Sequence, residues 1–147
     1  MSALGQAAVV VLVAGSAVSG GLAWWGKTIQ SRDLITPSWL AGSLMVHGVL
    51  NPLLCILFGC LLCHHIRLGW SIQANRASGL VMELLFAGLI LSGVGLYYAG
   101  AEKTRDLVTS IHQLMGLLFP LALAVHWVAG IRWARRAVQT GSPKGPS

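Results

Sequence analysis

Charged residues fall in clusters along this chain and leave four long apolar windows between them. Residues 1–26, 34–66 and 107–131 contain no Asp, Glu, Lys or Arg, and residues 77–101 contain one, Glu83. A helix rises about 1.5 Å per residue and a bilayer's hydrocarbon core is about 30 Å thick, so about 20 apolar residues suffice to cross it. The pattern predicts membrane-spanning helices over roughly 6–25, 40–63, 80–100 and 107–131. The expected fold class is an all-α membrane protein, a four-helix up-down bundle. Gly and Pro within the windows (Gly15, Gly20, Gly21, Pro52, Gly93, Gly95, Pro120) do not argue against this, because membrane helices tolerate both. Trp24, Trp25, Trp39, Trp70, Tyr97, Tyr98, Trp127 and Trp133 cluster near the expected ends, as an interfacial aromatic belt does.

Composition strengthens this picture. Of 147 residues, 55% are hydrophobic and only 10% charged, where soluble domains average about 25% charged. The N-terminus lacks the basic start of a signal peptide, so the first segment reads as a retained helix. Arg67, Arg76, Arg132, Arg135, Arg136 and Lys144 lie on one expected side; Lys27, Arg32, Lys103 and Arg105, diluted by Asp33, Glu102 and Asp106, lie on the other. That asymmetry is expected to leave both termini in the cytoplasm. The net charge of +6 is accounted for by basic membrane-surface segments, and no nucleic acid is needed as a partner.

The chain also repeats itself. GLAWWGKTIQSRDLIT (21–36) matches GLYYAGAEKTRDLVT (95–109), and each copy continues to a His, a Pro, a second His and an Ile-Arg followed by a Trp. This predicts a duplicated helical hairpin, with repeats at about 6–70 and 80–133, a membrane domain over 1–136 and a flexible tail over 137–147. Two-span repeats share one orientation and are related by an axis along the membrane normal.

The candidate chemistry lies in the histidines. An ionisable side chain in hydrocarbon is costly and marks function by default, although a single one is more often a hydrogen-bonded packing residue. Here His47, His112 and His126 fall inside expected spans, and His64 and His65 at the end of one. His112 and His126 are 14 residues apart, which returns within about 40° of the same helix face at about 21 Å along the axis. His47 and His65 are 18 apart and share a face; His64 is off by about 100°. The second and fourth helices run in the same direction, so His47 matches the depth of His112, and His65 or His64 approaches that of His126. Two bis-histidine sites stacked across the membrane result, and haem is the cofactor that fills such a site, with an imidazole on each face of the ring. Counted to His64, the first copy's His spacing is three residues longer, so the choice between His64 and His65 stays open, with helical phase favouring His65. Gly48 and Gly116 are candidate bare patches for the macrocycle. Arg67 and Arg105 are candidate propionate partners, solvated headgroup contacts being the competing role. Glu83 is a candidate quinol-proton acceptor, against an ordinary place near a helix start.

Cys60-Leu-Leu-Cys63-His64 matches the C-x-x-C-H of covalent haem attachment. The expected orientation puts it in the wrong leaflet, partly inside a helix. Cys55, Cys60 and Cys63 are therefore expected to be packing residues, and zinc lacks a full set of four ligands on that side.

The stretch GLYYAG…RDLVTSIHQLMGLLFPLALAVHWVAGIRWARR, with His112, His126, the Gly between them and the trailing Arg cluster, resembles the small four-helix b-type cytochromes, the cytochrome b561-like membrane subunits of bacterial redox complexes. The resemblance covers the second half directly and the first half through the repeat. It implies two haem b groups and electron transfer between a quinone pool and a partner redox subunit. One departure is that several members take a ligand from the first helix, which has no His here. The longest connection, about sixteen residues, holds no flavin, nicotinamide or iron–sulfur fold, so dehydrogenase or reductase chemistry would belong to another chain. Two other classes compete: a small proton- or metal-conducting transporter, which would want more carboxylates than Glu83, and a cofactor-free anchor, which would not need histidines at paired depths.

Overall fold

A computed structural model describes residues 3–63, 67–68 and 76–139. It has four long helices: α1 (Ala3–Asp33), α2 (Leu40–Leu61), α3 (Arg76–Tyr98) and α4 (Glu102–Gln139). All four are long and apolar enough to cross a membrane, and no strand occurs among the described residues. The protein is an all-α, multi-pass membrane protein. Pro52 and Pro120 lie inside α2 and α4 without ending them.

The chain divides into two compact units, Met1–Cys63 and His64–Ser147. Each is a hairpin, α1 packing on α2 and α3 on α4. In the first, a Cβ built at Gly15, Gly20 or Gly26 would meet Leu50, His47 or Leu40 respectively. Partner numbers fall as the glycine numbers rise, so α1 and α2 run antiparallel. In the second, Gly88, Gly93 and Gly95 meet Met115, His112 and Val108 in the same inverse order. Small residues let the backbones approach where lipid offers no hydrophobic drive for association.

The two hairpins share an internal register that the sequence match did not capture. Val13 and Leu54 are the buried apolar residues where the second hairpin has buried Phe86 and Phe119, whose rings lie 5.5 Å apart. Ser19 and Ser92 are both buried and occupy equivalent places. The two Arg-Asp-Leu stretches, in contrast, are not equivalent. Asp33 ends α1, and Leu34 follows at φ 59, its N–H bonded to the Gln30 carbonyl at 3.1 Å. That is a left-handed helix stop, here on a leucine at about 1–2 kcal/mol of strain. Asp106 and Leu107 lie inside the first turns of α4. The cause is local: Gly100 breaks the second hairpin early, whereas α1 runs on to Asp33 before the stop at Leu34, and Pro37 then disfavours helix at Thr36. The connections are accordingly 34–39 in the first hairpin and 99–101 in the second. The first is closed by Trp25 against Trp39, ring centroids 5.7 Å apart.

A candidate histidine site

Every described histidine of α2 and α4 leans on the helix before it, against a Ser-Gly dipeptide. In the second hairpin, Ser92 Oγ lies 2.9 Å from His112 Nδ1, and a Cβ on Gly93 would lie 3.5 Å from His112 Cε1. Fourteen residues earlier on α3, and fourteen later on α4, the arrangement recurs: Ser78 Oγ is 2.9 Å from His126 Nδ1, and Gly79 faces His126 Cε1 at 4.0 Å. His112 and His126 therefore do share a face of α4, the one turned to α3. In the first hairpin, Ser19 Oγ is 3.3 Å from His47 Nδ1, and a Cβ on Gly20 would come within 2.9 Å of His47 Cε1. All three imidazoles are half-buried.

The hydrogen-bond partners bear on which ring nitrogen carries the proton. Ser92 has one hydroxyl proton, and it points to the Gly88 carbonyl at 2.7 Å, with Leu89 O at 3.2 Å. With that proton on the carbonyl, Ser92 Oγ can accept from a protonated His112 Nδ1. Ser19 repeats the pattern, donating to Gly15 O at 2.8 Å and Ser16 O at 3.2 Å. His47 Nδ1 additionally reaches the Ser16 carbonyl at 3.0 Å, and a carbonyl can only accept. In a neutral ring, a proton held on Nδ1 places the lone pair on Nε2. An imidazole of this kind, with one nitrogen tied to a hydroxyl or carbonyl, is prepared as a metal ligand through the other.

Around these shared parts the hairpins differ. Ser16 Oγ donates to Asn51 Oδ1 at 3.2 Å and lies 3.5 Å from His47 Nδ1. The corresponding pair in the second hairpin is Leu89 and Gly116, where a Cβ on Gly116 would meet Leu89 at 3.9 Å. Gly116 thus faces its hairpin partner, while a Cβ on Gly48 would meet nothing within 4 Å. Glu83 is half-buried on α3, between Ser78 and Phe86. Arg105 is exposed in the first turn of α4, and Arg67 is exposed. His64 and His65 lie outside the described residues, as do Trp70, Lys144 and the residues from 140 onward. Cys55, Cys60 and Cys63 are free thiols and exposed, not packed within the hairpin as expected, because α2 turns Leu54 rather than Cys55 into the interface. Among the described residues no three His, Cys, Asp or Glu side chains gather as a metal site. A bis-histidine haem asks for two imidazoles and no such cluster.

The serines, Gly79 and Asn51 carry no part in the sequence reading, and Gly20 and Gly93 enter it only as residues that membrane helices tolerate. The signal was present as GSAVSG (15–20) and GLILSG (88–93), a Gly-x-x-x-Ser-Gly in both copies. An alignment anchored on Gly21 and Gly95 runs one residue out of step with it.

The chain matches no protein-family model, no curated protein and no solved structure.

Proposed function

We propose that this protein is a membrane electron-transfer subunit that holds two haem b groups and relays electrons between a quinone pool and a partner redox subunit, as the resemblance to small b-type cytochromes implies. The observation that carries the reading is the shared state of the histidines: ionisable groups within membrane-spanning helices, each with Nδ1 tied to the neighbouring helix. This donor chemistry fits haem iron, which takes neutral imidazole nitrogen on its axial faces. His47 and His112 would hold one group and His126 the other, with His65 or His64 as its second ligand. Haem b held in this way would supply one-electron transfer.

The chain's own residues do the remaining work. Ser19, Ser78 and Ser92 hold the rings in rotation. Gly20, Gly79 and Gly93 let them lie close to the helix backbone. Arg105, exposed in the first turn of α4, and the exposed Arg67 would neutralise carboxylates such as propionates. Glu83 would accept a proton released by a quinol.

A visible spectrum of the detergent-purified chain tests this. Dithionite reduction should give a b-type spectrum, and acid–acetone should extract the pigment. Haem retained on the polypeptide after extraction would point to Cys60 and Cys63 instead. A colourless chain that shifts protons or divalent metal in vesicles would replace the relay with the transporter reading.

A further inference from the structure

We propose that Ser92 is a positioning residue that sets the tautomer and donor strength of His112 as an axial ligand, and that Ser19 does the same for His47 in a weaker, backed-up form. The proposal rests on the haem reading above and goes beyond it by naming what tunes the ligand.

Ser92 is only 8% exposed, and its proton is committed to the Gly88 carbonyl. Its oxygen therefore completes a directed chain, His112 Nδ1–H to Ser92 Oγ–H to Gly88 O. Consecutive hydrogen bonds of this kind polarise one another in a low-dielectric interior. The effect on the ring is to increase electron density at Nε2, which favours the oxidised over the reduced iron. A serine retained only as a small residue for close helix packing would not need its lone pairs turned toward the histidine. The first hairpin repeats the Gly-x-x-x-Ser-Gly and the serine's back-bond while changing the neighbours, Val13 for Phe86 and Ser16 for Leu89. What stays constant is the contact with Nδ1.

The two copies are not equal in strength. His112 has a serine hydroxyl at 2.9 Å. His47 has the Ser16 carbonyl at 3.0 Å as well as the more distant Ser19 hydroxyl, and a main-chain carbonyl survives any side-chain change. Removing Ser92 takes the 2.9 Å hydroxyl from His112, whereas removing Ser19 takes the longer contact of His47 and leaves the Ser16 carbonyl in place.

The test uses the full-length haem-loaded chain with Ser92→Ala, Ser92→Thr and Ser19→Ala. Redox titration followed optically and the EPR g-values of the oxidised haems are the readouts. Ser92→Ala should raise one midpoint potential, move one EPR signal and weaken retention of one haem by about 10-fold, the low end for loss of a ligand's hydrogen-bond partner. Ser92→Thr, which keeps the hydroxyl, should restore all three, and Ser19→Ala should shift them less than Ser92→Ala. Unchanged potentials and g-values in Ser92→Ala, with haem bound, would overturn the positioning role and leave the haem reading intact. Nitrogen-15 NMR of labelled histidine in wild-type chain prepared without haem gives an independent arm. His112 should be protonated at Nδ1, and protonation at Nε2 instead overturns the proposal even if Ser92→Ala fails to fold. A chain that takes up no haem contradicts the proposed function and with it this role.

Discussion

In the first hairpin His47 stands among polar neighbours, Ser16, Ser19 and Asn51; in the second, the equivalent His112 meets Ser92, with Leu89 and Gly116 where Ser16 and Asn51 would be. The buried packing residues differ as well, Val13 and Leu54 against Phe86 and Phe119. Even the turns are built differently, one closed by Trp25 and Trp39 and the other by a short Gly100 break. Against that divergence, the Gly-x-x-x-Ser-Gly on the odd helix and the His three residues before a bulky apolar side chain (Leu50 or Met115) are the same. The comparison separates what a hairpin needs in order to pack, which is interchangeable apolar volume, from what the histidine needs, which is not interchangeable.

The sharpest way to break this comparison is at the glycines. A methyl on Gly20 would come within 2.9 Å of the His47 ring, whereas one on Gly93 would lie at an ordinary 3.5 Å from His112. An imidazole pinned at Nδ1 has little room to swing aside, so Gly20→Ala should lose most of one haem while Gly93→Ala keeps it, read as haem per polypeptide. Equal losses would mean the two close approaches are not functionally distinct. A smaller effect is expected at the packing layer. Phe119→Ala removes the ring contact with Phe86 and should cost roughly 1 kcal/mol beyond lost area, seen as a lower thermal midpoint in detergent, and Leu54→Ala should lack that ring term. Smaller again is the exchange of neighbours. Ser16→Leu with Asn51→Gly copies the second hairpin into the first and removes a hydrogen bond worth about 0.6 kcal/mol in a membrane. His47 should keep its Nδ1 proton in that variant, because the Ser16 main-chain carbonyl remains at position 16 whatever the side chain. Loss of the Nδ1–H tautomer by nitrogen-15 NMR would show that the side chains, not the carbonyl, hold the ring. The smallest effect is expected at the thiols: Cys60→Ser with Cys63→Ser should leave haem content unchanged.

Much of the architecture was legible because it depends on coarse quantities. Windows of 25 residues or more with at most one charge fix four spans with little regard to detail. The helix ends were less legible. α1 runs to Asp33, well beyond residue 25, since GKTIQSRD contains nothing that stops a helix once it has left the hydrocarbon. α4 begins at Glu102, whose carboxylate suits a first turn, although the apolar window opens only at 107. His47, His112 and His126 were visible as costly groups in an apolar setting. Their partners were not, because serine and glycine are ordinary small residues in membrane helices and carry no hydropathy signal. Only the antiparallel register, which is a property of two packed helices, puts Ser92 opposite His112 and Ser78 opposite His126.

The most direct test of the central claim, that these histidines are axial ligands, is the haem stoichiometry and redox titration of His47→Ala, His112→Ala and His126→Ala in the full chain. Loss of one imidazole leaves a site unable to hold its group, so each variant should keep about half the pigment. His47→Ala and His112→Ala should lose the same redox component, and His126→Ala the other. Full pigment with two unshifted components in all three variants would contradict the account.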